Sequence, residues 1–120
     1  MEEIKPRKPS GKMLTLADVM EFCYDLPAND VEILNYLMNL ESAKGISEIA
    51  KELKISKAAV DRAILRLVGL GLVKRTKDTT IKKGRPVYLH YVNREELTTR
   101  IMSDVEQCTK VMVEAVKRGL

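Results

Sequence analysis

From Leu14 onward apolar residues return every three or four positions, are interrupted at Pro and Gly, and resume; only past Leu72 does the spacing shorten to two. The three-to-four spacing is the signature of helices with one buried face, and the two-residue spacing that of strands. Leu14 to Leu26 carries Leu16, Val19, Met20 and Cys23 on one helical face, closed by Leu26. Phe22 and Tyr24 widen that surface, so this helix needs cover on more than one side, from the core or from another chain. Pro27 breaks the pattern and suits the start of a second helix. Its core positions are Val31, Leu34, Leu37 and Met38, with Tyr36 as a further candidate. Asn29, Asp30 and Glu32 sit near the positive end of its dipole. Residues 41–45 read as loop, and Lys44 to Ile46 as a candidate for one or two residues of strand.

Ile46 to Leu72 holds the most informative spacing. Ser47 is a candidate N-cap, and Ile49, Ala50 and Leu53 then fall on one side. Lys54 and Ile55 form a corner, and Ser56 is a second candidate N-cap. Val60, Ile64, Leu67 and Val68 make the buried stripe of the helix that follows, with Gly69 and Gly71 as stop signals. Two capped helices joined by so short a turn cross steeply, as in a helix-turn-helix, and the second presents its outer face away from the core.

Leu72 to Thr76 and Val87 to Val92 read as two strands, rich in β-branched and aromatic residues, joined by a polar stretch from Lys77 to Pro86. A hairpin directly behind a helix-turn-helix is a wing. His90 falls on the more polar strand face and reads as a partly exposed structural histidine. Asn93 to Glu96 has the form of a capping box. The helix it opens runs to about Arg118, on the order of 37 Å. Its stripe is Leu97, Ile101, Val105, Cys108, Met112 and Ala115 or Val116, with Glu96–Arg100, Glu106–Lys110 and Glu114–Arg118 as i,i+4 pairs. So long a seam exceeds what a small winged domain can cover, so pairing with a second copy is expected. Leu16, Met20, Cys23, Leu97, Ile101, Val105, Cys108 and Met112 are the candidate dimer contacts. The expected fold is mainly α with a small β-wing (α+β), a winged helix-turn-helix with a long C-terminal dimerisation helix. It divides into a flexible basic arm (1–12), the winged domain (13–92) and the dimerisation helix (93–120).

With 120 residues, the chain is long enough for one core without metals or disulfides. A charged fraction of 32% beside 45% hydrophobic residues places it among globular rather than disordered chains. The net charge of +4 is modest, so the location of the charge matters more than its sum. No apolar run approaches the roughly 20 residues of a membrane span, and no signal-peptide pattern opens the chain. A cytoplasmic, nucleoid-associated location without membrane contact is therefore expected. Cys23 and Cys108 have no metal-ligand spacing and His90 is the single histidine, so neither metal nor cofactor is expected. The two cysteines read as buried reduced thiols; the alternative is a redox pair, which requires Cα atoms within roughly 7 Å. In the arm, Lys5, Arg7, Lys8 and Lys12 lie among prolines and a glycine, giving a solvated tail or a minor-groove strand.

Basic charge is concentrated in the wing. Lys74, Arg75, Lys77, Lys82, Lys83 and Arg85 fall within twelve residues, against Asp78 alone. Such a loop can take phosphates and release their counterions, or can be a solvated hairpin whose lysines discourage edge pairing. In Lys83-Gly84-Arg85-Pro86, glycine permits close backbone approach and the arginine suits a narrow minor groove. On the second helix of the helix-turn-helix, Ser56, Lys57, Ala58, Asp61 and Arg62 face outward. Ser56 and Lys57 stand where helix N–H groups favour a phosphate. Arg62 suits a guanine edge and Ala58 a thymine methyl. Asp61 suits cytosine or an ion pair with Lys57, the pairing being the simpler role, and Arg66 stays near the DNA backbone.

Ile46 to Leu72 followed by Lys83-Gly84-Arg85-Pro86-Val87-Tyr88 resembles the winged helix-turn-helix of small archaeal and bacterial transcription regulators, the TrmB-like and MarR-like group. The resemblance covers about Leu26 to Val92. It implies a homodimer on double-stranded DNA, with a recognition helix in the major groove, a wing at the minor groove and dimer contacts from terminal helices. It carries over no small-molecule effector: nothing in the chain is long enough for the large C-terminal effector domain of sugar-responsive TrmB proteins, and no residue set marks a MarR-type pocket. The expected function is sequence-specific regulation of transcription. Alternatives that keep the fold are a protein-interaction module and a non-specific architectural DNA-binding protein. No nucleophile–base pair, paired carboxylates or phosphate loop points to an enzyme.

Overall fold

The hydroxyl of Thr15 accepts the N–H of Asp18 (3.1 Å) while the Asp18 carboxylate accepts the N–H of Thr15 (2.9 Å), and this reciprocal cap starts the first helix. The computed structural model describes residues 6–81 and 83–119; Lys82 and Met1–Lys5 of the expected arm lie outside them. The elements are α1 (Leu16–Tyr24), α2 (Ala28–Met38), α3 (Ile46–Leu53), α4 (Lys57–Gly69), strands β1 (Lys74–Lys77) and β2 (Tyr88–Tyr91), and α5 (Arg94–Arg118). This is the winged helix-turn-helix with a long final helix. The described part of the arm is folded rather than extended. Leu14 N–H donates to Pro6 O and Lys8 N–H to Lys12 O, both at 2.8 Å, closing a small reverse turn through Gly11.

Met20, Leu26, Ile33, Leu34, Leu37, Ile49, Val60, Ala63, Ile64, Leu67, Leu72 and Val73 form one core with Leu97 and Ile101. The turn between α3 and α4 is made by Lys54 in the left-handed region (φ 57°), which lets Ile55 N–H reach back to Ala50 O at 3.1 Å. Ser56 caps α4 by accepting from Ala59 N–H, as its position predicts. Ser47 does not cap α3. The helix begins at Ile46 with Gly45 as N-cap, whose N–H donates weakly to Glu48 Oε1 at 3.4 Å. At the far end of α4, Gly71 (φ 76°) donates to Val68 O and Leu72 to Leu67 O, a Schellman closure that turns the chain into the wing.

β1 and β2 are antiparallel, pairing Lys74 with Tyr91, Arg75 with His90, Thr76 with Leu89 and Lys77 with Tyr88. Lys44 adds the expected scrap of strand, exchanging hydrogen bonds of 2.8 and 2.7 Å with His90. With that bridge in place and α2 packed on β2, His90 is 4% exposed rather than partly exposed as its polar strand face suggested. Asn93 caps α5 by accepting from Glu96 N–H, but only half of the expected box forms, because the Glu96 carboxylate takes Lys74 Nζ at 2.6 Å. Of the expected helix-surface pairs, Glu106–Lys110 is present at 4.0 Å. Arg100 instead pairs with Asp104, and Glu114 with Lys117.

The seam of α5 divides. Leu97 and Ile101 enter the core, so they are not the dimer contacts their spacing suggested; Met20, 1% exposed, is likewise in this chain's own core. Val105 is half-buried against that core, and Cys108 is disulfide-bonded to Cys23 with Cα atoms 5.9 Å apart. The expectation of buried reduced thiols is thereby corrected: both cysteines are half-buried where α1 meets α5. Beyond Cys108 the apolar residues Val111, Met112, Val113 and Val116 are exposed. The projecting helix explains a radius of gyration of 17.1 Å, where a compact chain of this length has about 14 Å.

Among the described residues Asp30 is the one acidic side chain in the core, with no exposed surface. Arg66 grips it with two bonds of 2.7 Å, joining α2 to α4. The guanidinium, made more basic chiefly by those bonds, is itself half in water. The pair is therefore asymmetric. Arg66→Met strands a buried carboxylate, a defect worth roughly 3 kcal/mol. Asp30→Asn leaves a cation that can turn to solvent. Urea unfolding is expected to show the larger loss for Arg66→Met.

Candidate nucleic-acid interface

The outward face of α4 is set by its core face. With Val60, Ala63, Ile64 and Leu67 buried, the 3.6-residue period leaves Ser56, Lys57, Ala58, Asp61, Arg62 and Leu65 exposed. Among the described residues neither Lys57 nor Arg62 takes part in an ion pair, and the expected Lys57–Asp61 pair does not form. Arg66, although exposed on the same helix, is committed to Asp30 and is not available as a backbone contact without releasing it.

The wing stands against α4. A cleft of about 510 Å³ separates them, lined by Asp61, Leu65 and Val68 of α4 and by Arg75, Tyr88 and His90 of the hairpin. The basic residues of the wing divide into two groups. Lys74 is tied to Glu96, a bond that raises its pKa, and Arg75 lies over the Tyr88 ring, 4.7 Å from its centre. Tyr88 had no assigned role from sequence; the observed register makes it the diagonal neighbour of Arg75, within reach of a long side chain. Lys77, Lys83 and Arg85 are exposed and make no ion pair among the described residues, and Gly84 between the latter two takes φ 91°. Asp78, the one acid of the wing, accepts from the hydroxyl and N–H of Thr80, which lower its pKa.

A model of the family described as sugar-specific transcriptional regulator TrmB matches residues 20–95, more than half of the chain. The chain belongs to the TrmB family. Its fold is shared with solved regulators. The ST1889 protein of Sulfolobus tokodaii is 29% identical, with a TM-score of 0.72 over 82% of this chain and 92% of its own. A possible transcriptional regulator from Methanosarcina mazei is 17% identical, with a TM-score of 0.76 over 93% and 94%. A point mutant of MepR from Staphylococcus aureus, bound to an oligodeoxyribonucleotide, is 16% identical, with a TM-score of 0.57 over 87% and 72%. No curated protein matches the chain. Membership of the TrmB family makes this a DNA-binding transcription regulator by class, and the solved structures share its fold. Among the described residues no helix is long and apolar enough to cross a membrane.

In this TrmB-family chain the groups around His90 set a pH response. Burial lowers the pKa of His90 most strongly; the Lys44 backbone and the Asp61 carboxylate oppose the shift, and Arg75 adds to it. Among the described residues the buried Nδ1 atom of His90 has no hydrogen-bond partner. Because the folded state binds the proton less readily than the unfolded chain, the stability contribution is complete above the ordinary histidine pKa of about 6.5 and falls as pH drops below it. Thermal unfolding between pH 7.5 and 5.5 is expected to show a falling Tm that His90→Gln flattens.

Proposed function

We propose that this regulator binds double-stranded DNA as a homodimer, with α4 in the major groove and the wing on the sugar–phosphate backbone and minor groove. The observation that carries the reading is the pairing of two unoccupied surfaces: the outer face of α4 from Ser56 to Arg62, and the basic tip at Lys77, Lys83 and Arg85. Ser56 and Lys57 stand at the N-terminal end of α4, where N–H groups and the dipole favour a phosphate. Arg62 projects the one planar fork on that face that can meet a guanine edge with two parallel bonds. Lys77, Lys83 and Arg85 supply sequence-independent attraction.

The dimer reading rests on apolar surface that this chain leaves uncovered. Leu14, Leu16 and Phe22 on the α1 side, and Met112, Val113 and Val116 on α5, are all exposed, Phe22 at 63% and Val116 at 80%. Of these, Leu14, Phe22 and Met112 line one groove between α1 and α5, and exposed apolar surface of this kind marks an association site. Two copies joined there address half-sites about one helical turn apart, roughly 34 Å.

Selection of bound duplexes from a random pool, followed by anisotropy titrations at two salt concentrations, tests the reading. Arg62→Ala is expected to cost about 1–3 kcal/mol on the selected site and little on random DNA. Lys83→Ala and Arg85→Ala are expected to weaken both equally and to flatten the salt slope by about one each. Equal losses on both duplexes for all three variants would remove α4 as the base-reading element.

A further inference from the structure

A succession of ties runs along α5 from its start, where Glu96 holds Lys74 of the wing, to its middle. Leu97 and Ile101 are in the core. The Arg100 guanidinium donates to Leu70 O at 2.8 Å. The Tyr24 hydroxyl donates to Asp104 Oδ2 at 2.5 Å, a bond Arg100 Nε shares at 3.0 Å. Last comes the Cys23–Cys108 bridge. Past it the helix runs to Arg118 with its apolar residues exposed. The bridge is thus the outermost fastening of α5 to α1, and it joins residues 85 apart, enclosing the helix-turn-helix and the wing in one covalent ring.

The bridge also borders the apolar surface. A groove of about 640 Å³ lies between α1 and α5, lined by Leu14, Val19, Phe22, Val105 and Met112, with Cys23 in its wall. Both cysteines are half-buried rather than sealed in the core. Where thiol pools keep most cysteines reduced, a bridge in a mesophile's protein is generally transient and sensing, whereas hyperthermophiles use such bridges structurally. The position here, at the margin of the core and in the wall of a groove, suits the sensing use.

We propose that Cys23 and Cys108 form a thiol–disulfide switch that holds α1 and α5 as one platform for the second copy, so that reduction weakens both dimerisation and DNA binding. The proposal rests on the dimeric DNA-binding reading above. The reductant is a dithiol. One of its sulfurs attacks a cysteine sulfur, the Cys23–Cys108 bond breaks, and the second dithiol sulfur displaces the first cysteine from the mixed disulfide. The dithiol leaves oxidised as an S–S ring, and its two electrons and two protons remain on the protein as two Cys thiols. Without the bridge, Tyr24–Asp104 is the outermost tie between α1 and α5, and the groove between them is free to open.

The test compares the full chain after treatment with oxidised or reduced dithiothreitol, removed before measurement under argon. Sedimentation gives the dimer constant and anisotropy gives affinity for the selected duplex, with circular dichroism confirming that helix content is kept. Reduction is expected to raise the dimer Kd and to weaken DNA binding by about tenfold or more. The double variant Cys23→Ser/Cys108→Ser is expected to behave as the reduced protein under either treatment. Tyr24→Phe keeps the bridge and so guards against a double variant that fails to fold: it should bind as wild type when oxidised and lose more than wild type when reduced. Equal dimer constants and equal DNA affinity in both redox states overturn the switch and leave the DNA-binding reading intact. Absence of DNA binding in both states overturns that reading and the switch with it.

Discussion

The buried carboxylate of Asp30 fixes where α4 can lie. A charge in the core demands a matching partner, and the one that reaches it is Arg66, in the last third of α4. The two bonds of 2.7 Å are directional in a way that the apolar packing of the surrounding core is not. Apolar packing tolerates a helix that slides or rotates by part of a turn; a planar guanidinium on a buried carboxylate does not. With Arg66 held, the residues one turn earlier on α4, Arg62 among them, take a defined outward direction. The inner contact that orients the helix and the outer face proposed to meet DNA are thus successive turns of one element.

The wing is positioned by a similar division. Its inner end is rooted: Val73 is in the core, Lys44 pairs with His90, and Lys74 holds Glu96 at the start of α5. Its outer end carries the cations left without acidic partners among the described residues. A hairpin rooted at one end and charged at the other can follow a phosphate backbone without dragging the core, because its polar tip contributes little to the hydrophobic stability of the domain.

Much of this was legible in the sequence because it is local. The caps at Ser56 and Asn93, the closure at Gly71, the strand at Lys44 and the outward set on α4 follow from backbone chemistry and a period of 3.6. Less legible was anything that required knowing which face meets which. Asp30 near a helix start reads as a dipole partner; only the packing of α2 on α4 turns it into a buried ion pair. Alternation divided β2 into two faces but could not say that the Lys44 bridge and the packing of α2 would make His90, on the more polar face, the buried residue of the strand. The long seam of α5 was visible as a stripe, yet nothing local marks where its allegiance passes from this chain's core to open surface. The Cys23–Cys108 distance, set by two helices far apart in sequence, was beyond reach for the same reason, as was the Tyr24–Asp104 bond beside it.

Arg100 stands beside Asp30 in importance for a mechanical reason. From the second turn of α5 it binds the Leu70 carbonyl at the end of α4, and Gly71 leaves it room, since a Cβ there would come within 2.9 Å of the guanidinium. That bond joins the end of α4 directly to the long rod of α5. In the dimer proposed above, the angle at which two such rods cross would then be passed on to the two α4 helices. Half-site spacing would become a property of the rod-on-rod crossing, so sequence drift along the exposed stripe of α5 would retune which operators fit while the proposed base-reading residues stayed unchanged.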